Sequence, residues 1–205
     1  MKEAHRRDAV APCRLAAACT IEIIGGFNFP ADTMSLSSTQ IGAIGANLLV
    51  NAVMRGSNGR LTPFQPLADD DGIDCLFWDK ATGQSVAIQL KCRTVTLYKP
   101  GTKVRGNQAH FEVRKTTFSE ARRAYLVAGL CNEELTGFLV MWLIPMATLP
   151  ELARNGASKW VIRPNKSDGS ADRFAPYRCS SADELVQRII DICETHENVA
   201  ALSFS

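Results

Sequence analysis

Histidine is scarce in this chain of 205 residues: His5, His110 and His196 stand far apart and form neither an HxH nor an HExxH pattern. A metal site built from histidines finds no support there. Charge of one sign is also lacking. Lysine and arginine number 23 against 21 acids, a formal net charge of +2, so bulk charge names no partner. No apolar run approaches the roughly 20 residues that cross a bilayer, and the longest candidate, 137–145, reads as a buried strand. Arg14 and Glu22 interrupt the apolar core a signal peptide would need, so a cytoplasmic chain is expected. No Walker A loop, complete GxGxxG or GxSxG elbow occurs, which sets aside P-loop, dinucleotide and serine-hydrolase readings. The seven cysteines are odd in number, irregularly spaced and without a CxxC pair. They read as reduced, mostly buried thiols rather than as a zinc ribbon or redox motif.

What is present is ordinary globular material, 46% hydrophobic and 21% charged, enough for a sizeable core without disulfides. Residues 1–33 lack a clear period and read as an amino-terminal extension before a domain at 34–205. Ser37 with Gln40 forms a capping-box signature for a helix over 39–55. Ile41, Ile44, Leu48, Leu49 and Val53 give that helix an apolar stripe. Gly42 and Gly45 within it suggest close packing against a sheet. Strands are expected at 60–65, 73–78, 85–92, 94–98, 108–115, 124–130, 138–144 and 160–163, with a short helix at 146–154. A last helix begins at Ser181, where Glu184 completes a second box and Leu185, Ile189 and Cys193 mark the buried face. This order predicts an α/β or α+β domain with one mixed sheet flanked by helices.

The chemistry-bearing residues lie on the hairpin formed by 73–78 and 85–92. Val86, Ile88 and Leu90 alternate as a core stripe, so Gln89 and Lys91 share the opposite face. Asp74 and Gln89 lie equidistant from a turn at Ala81-Thr82, so they face each other and point to the same side. A carboxylate, an amide carbonyl and an ammonium can thus gather at one place. Mg²⁺ takes oxygen ligands and keeps several waters. Asp74 and Gln89 supply such oxygens, and Lys91 can orient the attacking water or neutralise phosphate charge. That set fits metal-assisted phosphodiester hydrolysis.

Asp71-Gly72-Ile73-Asp74 followed by Ala87-Ile88-Gln89-Leu90-Lys91 resembles the core of the PD-(D/E)XK nuclease superfamily. The resemblance spans 38–92 and extends more loosely to 194. It implies a restriction-endonuclease-like α/β fold, with a mixed central sheet flanked by helices. It implies a Mg²⁺-dependent nuclease, with Mn²⁺ as a substitute, acting on DNA with RNA as the alternative. Asp74, Gln89 and Lys91 would be catalytic, and Asp74 and Gln89 would bind the metal. Many such proteins are homodimers. Two departures stand out. The helix glutamate common in similar proteins is Ala46 here, and the acid of the (D/E)xK is Gln89; Asp69, Asp70 or Asp71 are available to compensate.

Basic residues concentrate after the hairpin. Arg93, Lys99, Lys103, Arg105, Arg114 and Lys115 form a candidate nucleic-acid surface, with Arg122 and Arg123 following and with Tyr98, His110 and Phe111 interspersed. Two other functions fit the same chain. One is a degenerate nuclease fold that binds nucleic acid without cutting, which the missing helix carboxylate favours. The other is a protein-interaction module of a defence or repair system.

Overall fold

The structure, a computed structural model, describes residues 35–67, 72–117 and 123–202. The expected extension at 1–33 lies outside them, as do Asp69, Asp70, Asp71 and Arg122.

Helix α1 spans Ser38–Gly56 and starts as its sequence predicts. The Gln40 amide donates to Ser37 Oγ (3.2 Å) and the Ser37 amide donates to Gln40 Oε1 (2.8 Å), so two otherwise orphaned N–H groups are satisfied. Its most buried positions are Gly45, Leu49 and Val53, at i, i+4 and i+8. Ile41, Ile44 and Leu48 are only half-buried flanks of that line. The stripe is centred on Gly45 because the helix comes closest to the sheet there.

Among the described residues, nine strands form two sheets. Strands β1 (Leu61–Phe64), β2 (Cys75–Asp79), β3 (Ser85–Arg93), β5 (Ala124–Cys131), β6 (Phe138–Pro145) and β9 (Arg178–Cys179) pair in the order β1-β2-β3-β5-β6-β9. Only β3 and β5 run parallel; every other neighbouring pair is antiparallel. The crossover between them contains β4 (Phe111–Arg114), which joins β8 (Lys159–Ile162) and β7 (Arg154–Asn155) in a separate three-stranded sheet. The expected short helix at 146–154 is a 3₁₀ turn, Met146–Thr148, followed by one turn of α2, Leu149–Leu152. The expected strand at 94–98 is mostly loop, with one bridge between Tyr98 and Arg105.

Helix α3 (Ala182–Leu202) closes the described chain. Ser181 Oγ accepts the Glu184 amide (3.1 Å), while Glu184 Oε2 accepts the Ser180 amide (2.8 Å), so the box is shifted by one residue. Leu185, Ile189 and Cys193 are fully buried, as the spacing predicts.

The mixed sheet is covered on both faces. Leu49 and Val53 of α1 and Leu185 and Ile189 of α3 pack with Val86, Ile88 and Leu90 on one side. Phe111, Val113 and Ile162 of the small sheet pack with Leu126, Leu130 and Trp142 on the other. The domain is therefore α/β, with a mixed central sheet flanked by helices on one face and by the small sheet on the other.

A Cβ on Gly45 would stand 2.2 Å from Cys92 Sγ and 3.0 Å from Cys92 Cβ, whereas one on Gly42 would meet nothing within 4 Å. Close approach therefore explains Gly45 and not Gly42. Gly45→Ala is expected to cost about 1–3 kcal/mol through overpacking. Gly42→Ala should stabilise by roughly 0.5–1 kcal/mol through lower chain entropy in the unfolded state. Urea melts of the two variants check this, and equal effects would remove the packing explanation.

Candidate active site

The hairpin turns where its symmetry predicts. Cys75 pairs with Ile88, Leu76 with Ala87, Phe77 with Val86 and Trp78 with Ser85. Continuing that register by one step sets Asp74 against Gln89. The ladder does not continue, however. The Asp74 amide donates to the Ile88 carbonyl at 2.9 Å, one residue out of step. Ile73 packs with the small-sheet core and Cys75 with the helix-side core, so the alternation of faces breaks between them. The local kink leaves the Asp74 carboxylate in the gap between β2 and β3. Its Oδ2 accepts the Leu90 amide of β3 at 2.5 Å. The acid is therefore anchored at the backbone between Gln89 and Lys91.

Gln89 is level with Leu126 of β5, and Lys91 with Ala128. Both neighbours belong to the core beneath the small sheet. Gln89 and Lys91 share that face, as the spacing predicts. The face is covered rather than solvated. Gln89 is only 3% exposed, and its Oε1 accepts no hydrogen bond among the described residues. Lys91 is half-buried. A buried carbonyl oxygen without a donor costs about 1–3 kcal/mol. Such atoms call for an explanation, and a bound cation is one. The donor types, a fixed carboxylate and a neutral carbonyl oxygen, are ones that Mg²⁺ and Mn²⁺ accept. Among the described residues, no group of three His, Cys, Asp or Glu is placed to hold a metal.

The strand ends carry further polar groups. The hydrogen bond to Cys131, then burial and the charge of Asp74, push the Cys92 thiol well above its ordinary pKa. Cys92 therefore stays protonated beside the acid. Ala46 packs against the helix-side core. A glutamate there would meet apolar side chains, on the other side of the sheet from Gln89.

The sequence-predicted basic residues separate into three groups. Arg93 is half-buried, and its Nε donates to the His110 carbonyl at 3.4 Å, tying the end of β3 to the start of β4. Lys99, Lys103 and Arg105 are exposed on a ribbon that leaves the sheet directly after β3. Arg114 and Lys115 lie at the far end of β4, about 13 Å of strand beyond His110. Lys115 Nζ donates to Asn155 Oδ1 (2.5 Å) and sits 4.9 Å from the centre of the Trp160 ring. It is committed to holding the small sheet.

Sequence reasoning missed a polar network on that sheet. Arg163 Nε donates to His110 Nδ1 (3.4 Å), so the ring proton is assigned to Nε2, which faces Glu112 Oε1 at 3.2 Å. Lys159 Nζ donates to Glu112 Oε2 at 2.5 Å. Lys159, and then His110, hold the Glu112 carboxyl below its usual pKa. The pairing of β4 with β8 makes this network, and neither strand announces it alone.

No family model matches the chain, and no curated protein matches it. Among solved structures, it is similar to a bacterial homing endonuclease, I-Ssp6803I, at 20% identity and a TM-score of 0.48, over 78% of this chain and 99% of that one. The functional reading is carried by the site's own geometry. No helix among the described residues is long and apolar enough to cross a membrane.

Proposed function

We propose that this chain is a Mg²⁺-dependent nuclease of the PD-(D/E)XK type that hydrolyses phosphodiester bonds in DNA. The observation that carries the reading is the buried Gln89 carbonyl oxygen without a donor, on the residue that precedes Leu90, whose amide anchors the Asp74 carboxylate. Asp74 and Gln89 would hold the cation, with Mn²⁺ able to replace Mg²⁺. When bound, the ion supplies positive charge to the phosphate oxygens and lowers the pKa of a coordinated water. Asp74 is kept in place by the Leu90 amide. Gln89 contributes an oxygen without adding charge, so the site holds its cation more weakly than a pair of carboxylates would. Lys91, on the same face as Gln89, stabilises the charge that develops on the phosphate and orients the attacking water. The reading assigns 34–205 to the nuclease domain and 1–33 to an extension, in a cytoplasmic protein.

A second reading is favoured by one observation, the lack of a three-residue acid, histidine or cysteine cluster among the described residues. On that reading the fold binds nucleic acid without cutting it.

One experiment separates the two. Supercoiled and linear duplex DNA are incubated with the protein in Mg²⁺, Mn²⁺ or EDTA, and Mn²⁺ uptake is followed by calorimetry. The nuclease reading expects metal-dependent nicking that Lys91→Ala reduces at least about 10²-fold, a typical loss for one charge-stabilising group. Retarded DNA with neither cutting nor metal uptake would establish the binding domain. Unretarded DNA in low salt would leave a protein-interaction module, and single-stranded RNA in parallel would reveal the other nucleic acid.

A further inference from the structure

We infer that the ribbon at residues 97–106 enters the major groove of duplex DNA, and that Arg105 there reads a base edge rather than a phosphate. This rests on the nuclease reading above and adds a specificity-determining residue to it.

The ribbon is a short antiparallel excursion. The Gly106 amide donates to the Leu97 carbonyl (2.7 Å), the Lys99 amide to the Val104 carbonyl (2.9 Å) and the Leu97 amide to the Gln108 carbonyl (2.7 Å). Tyr98 bridges to Arg105, and Gly101 turns the tip with φ near 69°. Opposed residues share a face and alternate along the strands. Tyr98 and Arg105 therefore occupy one face, and Lys99 and Val104 the other. Two strands stand about 4.8 Å apart. With side chains, such a ribbon fits a major groove about 12 Å wide and not a minor groove of about 6 Å.

Its chemistry matches that groove. Residues 94–109 contain Lys99, Lys103 and Arg105 and no aspartate or glutamate. Val104 is 58% exposed, apolar surface that suits thymine methyl groups, and Tyr98 is 55% exposed on the opposite face.

Arg105 differs from the two lysines because its head group is held. Nη1 donates to the Thr96 carbonyl at 2.7 Å, and the guanidinium carbon lies 3.9 Å from the centre of the Tyr98 ring. These contacts fix the plane of the guanidinium, and its remaining N–H groups make no hydrogen bond among the described residues. A preorganised fork pairs with O6 and N7 of guanine, the commonest specific contact in the major groove. Lys99 and Lys103 carry mobile point charges suited to phosphates. Thr96 lies five residues after Lys91, at most about 18 Å of chain. The base read would thus fall within about one helical turn of the scissile phosphate, at 3.4 Å per base pair.

The test uses the full chain in EDTA, where nothing is cut. Duplexes with a randomised centre are selected for binding and sequenced. Affinities for an enriched and a scrambled duplex are then measured from 50 to 200 mM NaCl. Wild type is expected to enrich a motif containing a fixed G·C pair. Arg105→Lys should lose about 10- to 100-fold of the discrimination at that pair with an unchanged salt slope. Tyr98→Leu, which removes the stacking platform, should do the same. Lys99→Ala and Lys103→Ala should weaken all sequences alike, each flattening the slope by about 0.9. Thermal melts confirm that each variant folds. Binding without a motif, or a motif that Arg105→Lys leaves intact, overturns the inference and leaves the nuclease reading standing. No duplex binding by wild type at 50 mM NaCl overturns both and turns the ribbon into a protein contact.

Discussion

Gln89→Met is expected to melt above wild type and to have lost metal-dependent cutting. The wild-type side chain keeps a buried carbonyl oxygen that accepts no hydrogen bond among the described residues. Replacing it with an apolar side chain of similar length removes a desolvation cost of about 1–3 kcal/mol. At 2–4 °C per kcal/mol for a domain of this size, the gain is roughly 2–12 °C in EDTA. Cutting should fall to background, because Asp74 alone would be left to hold the cation. Gln89→Glu moves the other way. Without metal, a carboxylate in that position is buried, so its pKa is raised and the folded state is weakened at pH 7. A group of raised pKa binds its proton more tightly when folded, so the deficit should shrink at pH 5. Mg²⁺ should remove it at pH 7 and keep or increase cutting. Differential scanning fluorimetry at both pH values, with and without Mg²⁺, reads all of this. A Gln89→Met variant less stable than wild type, together with a Gln89→Glu variant indifferent to Mg²⁺, would show that Gln89 is structural and end the metal-site reading.

The register of β2 against β3 was legible because a hairpin with a short polar turn has little freedom of register. Two alternating strands on either side of Ala81-Thr82 can pair in few ways that keep Phe77, Val86 and Ile88 on one face. The kink at Asp74 was not legible. It shows as Ile73 and Cys75 packing on opposite faces and as the Asp74 amide bonding one residue out of step, which no spacing rule announces. The burial of Gln89 was missed for a related reason. Alternation says that Gln89 points away from Val86 and Ile88, but not that a second sheet covers that side. A four-residue strand such as Phe111–Arg114 reveals which of its faces is apolar and nothing about its partner. The basic run after the hairpin likewise looked like one surface in sequence. Lys115 turns instead to Asn155 and Trp160, and Arg93 turns inward to the His110 carbonyl.

Arg60→Ala is expected to cause the largest loss of stability from a single polar substitution at the corner where β1 meets the hairpin. Asp79 ends β2, and its carboxylate is fully buried. It accepts Arg60 Nε (2.8 Å) and Nη2 (2.7 Å) in a two-pronged pair, and also the Ala81 amide and the Thr82 hydroxyl (3.0 Å each). One residue thus joins the approach to β1, the end of β2 and the turn that sets the register beneath the site. The Arg60 guanidinium, followed by the turn donors, holds the Asp79 carboxyl down to about 2. Removing the arginine leaves a buried charge with only the turn donors, which should cost about 3 kcal/mol, or roughly 6–12 °C in Tm. Glu194 also accepts from Arg60 (2.9 Å) but is half exposed, so Glu194→Gln should cost at most about 0.5 kcal/mol. The pH dependence has a definite sign. A depressed carboxyl contributes stability that is complete above its unfolded value near 4 and is lost as pH falls toward 2. About 2 kcal/mol of the wild-type stability should disappear over that window. Arg60→Ala should lose less there, because its Asp79 is no longer held down, so the gap between the two proteins narrows with acid. Urea melts at pH 7, 4 and 2.5 measure that gap, and one that stays constant or widens would show that the ion pair does not set the stability of this corner.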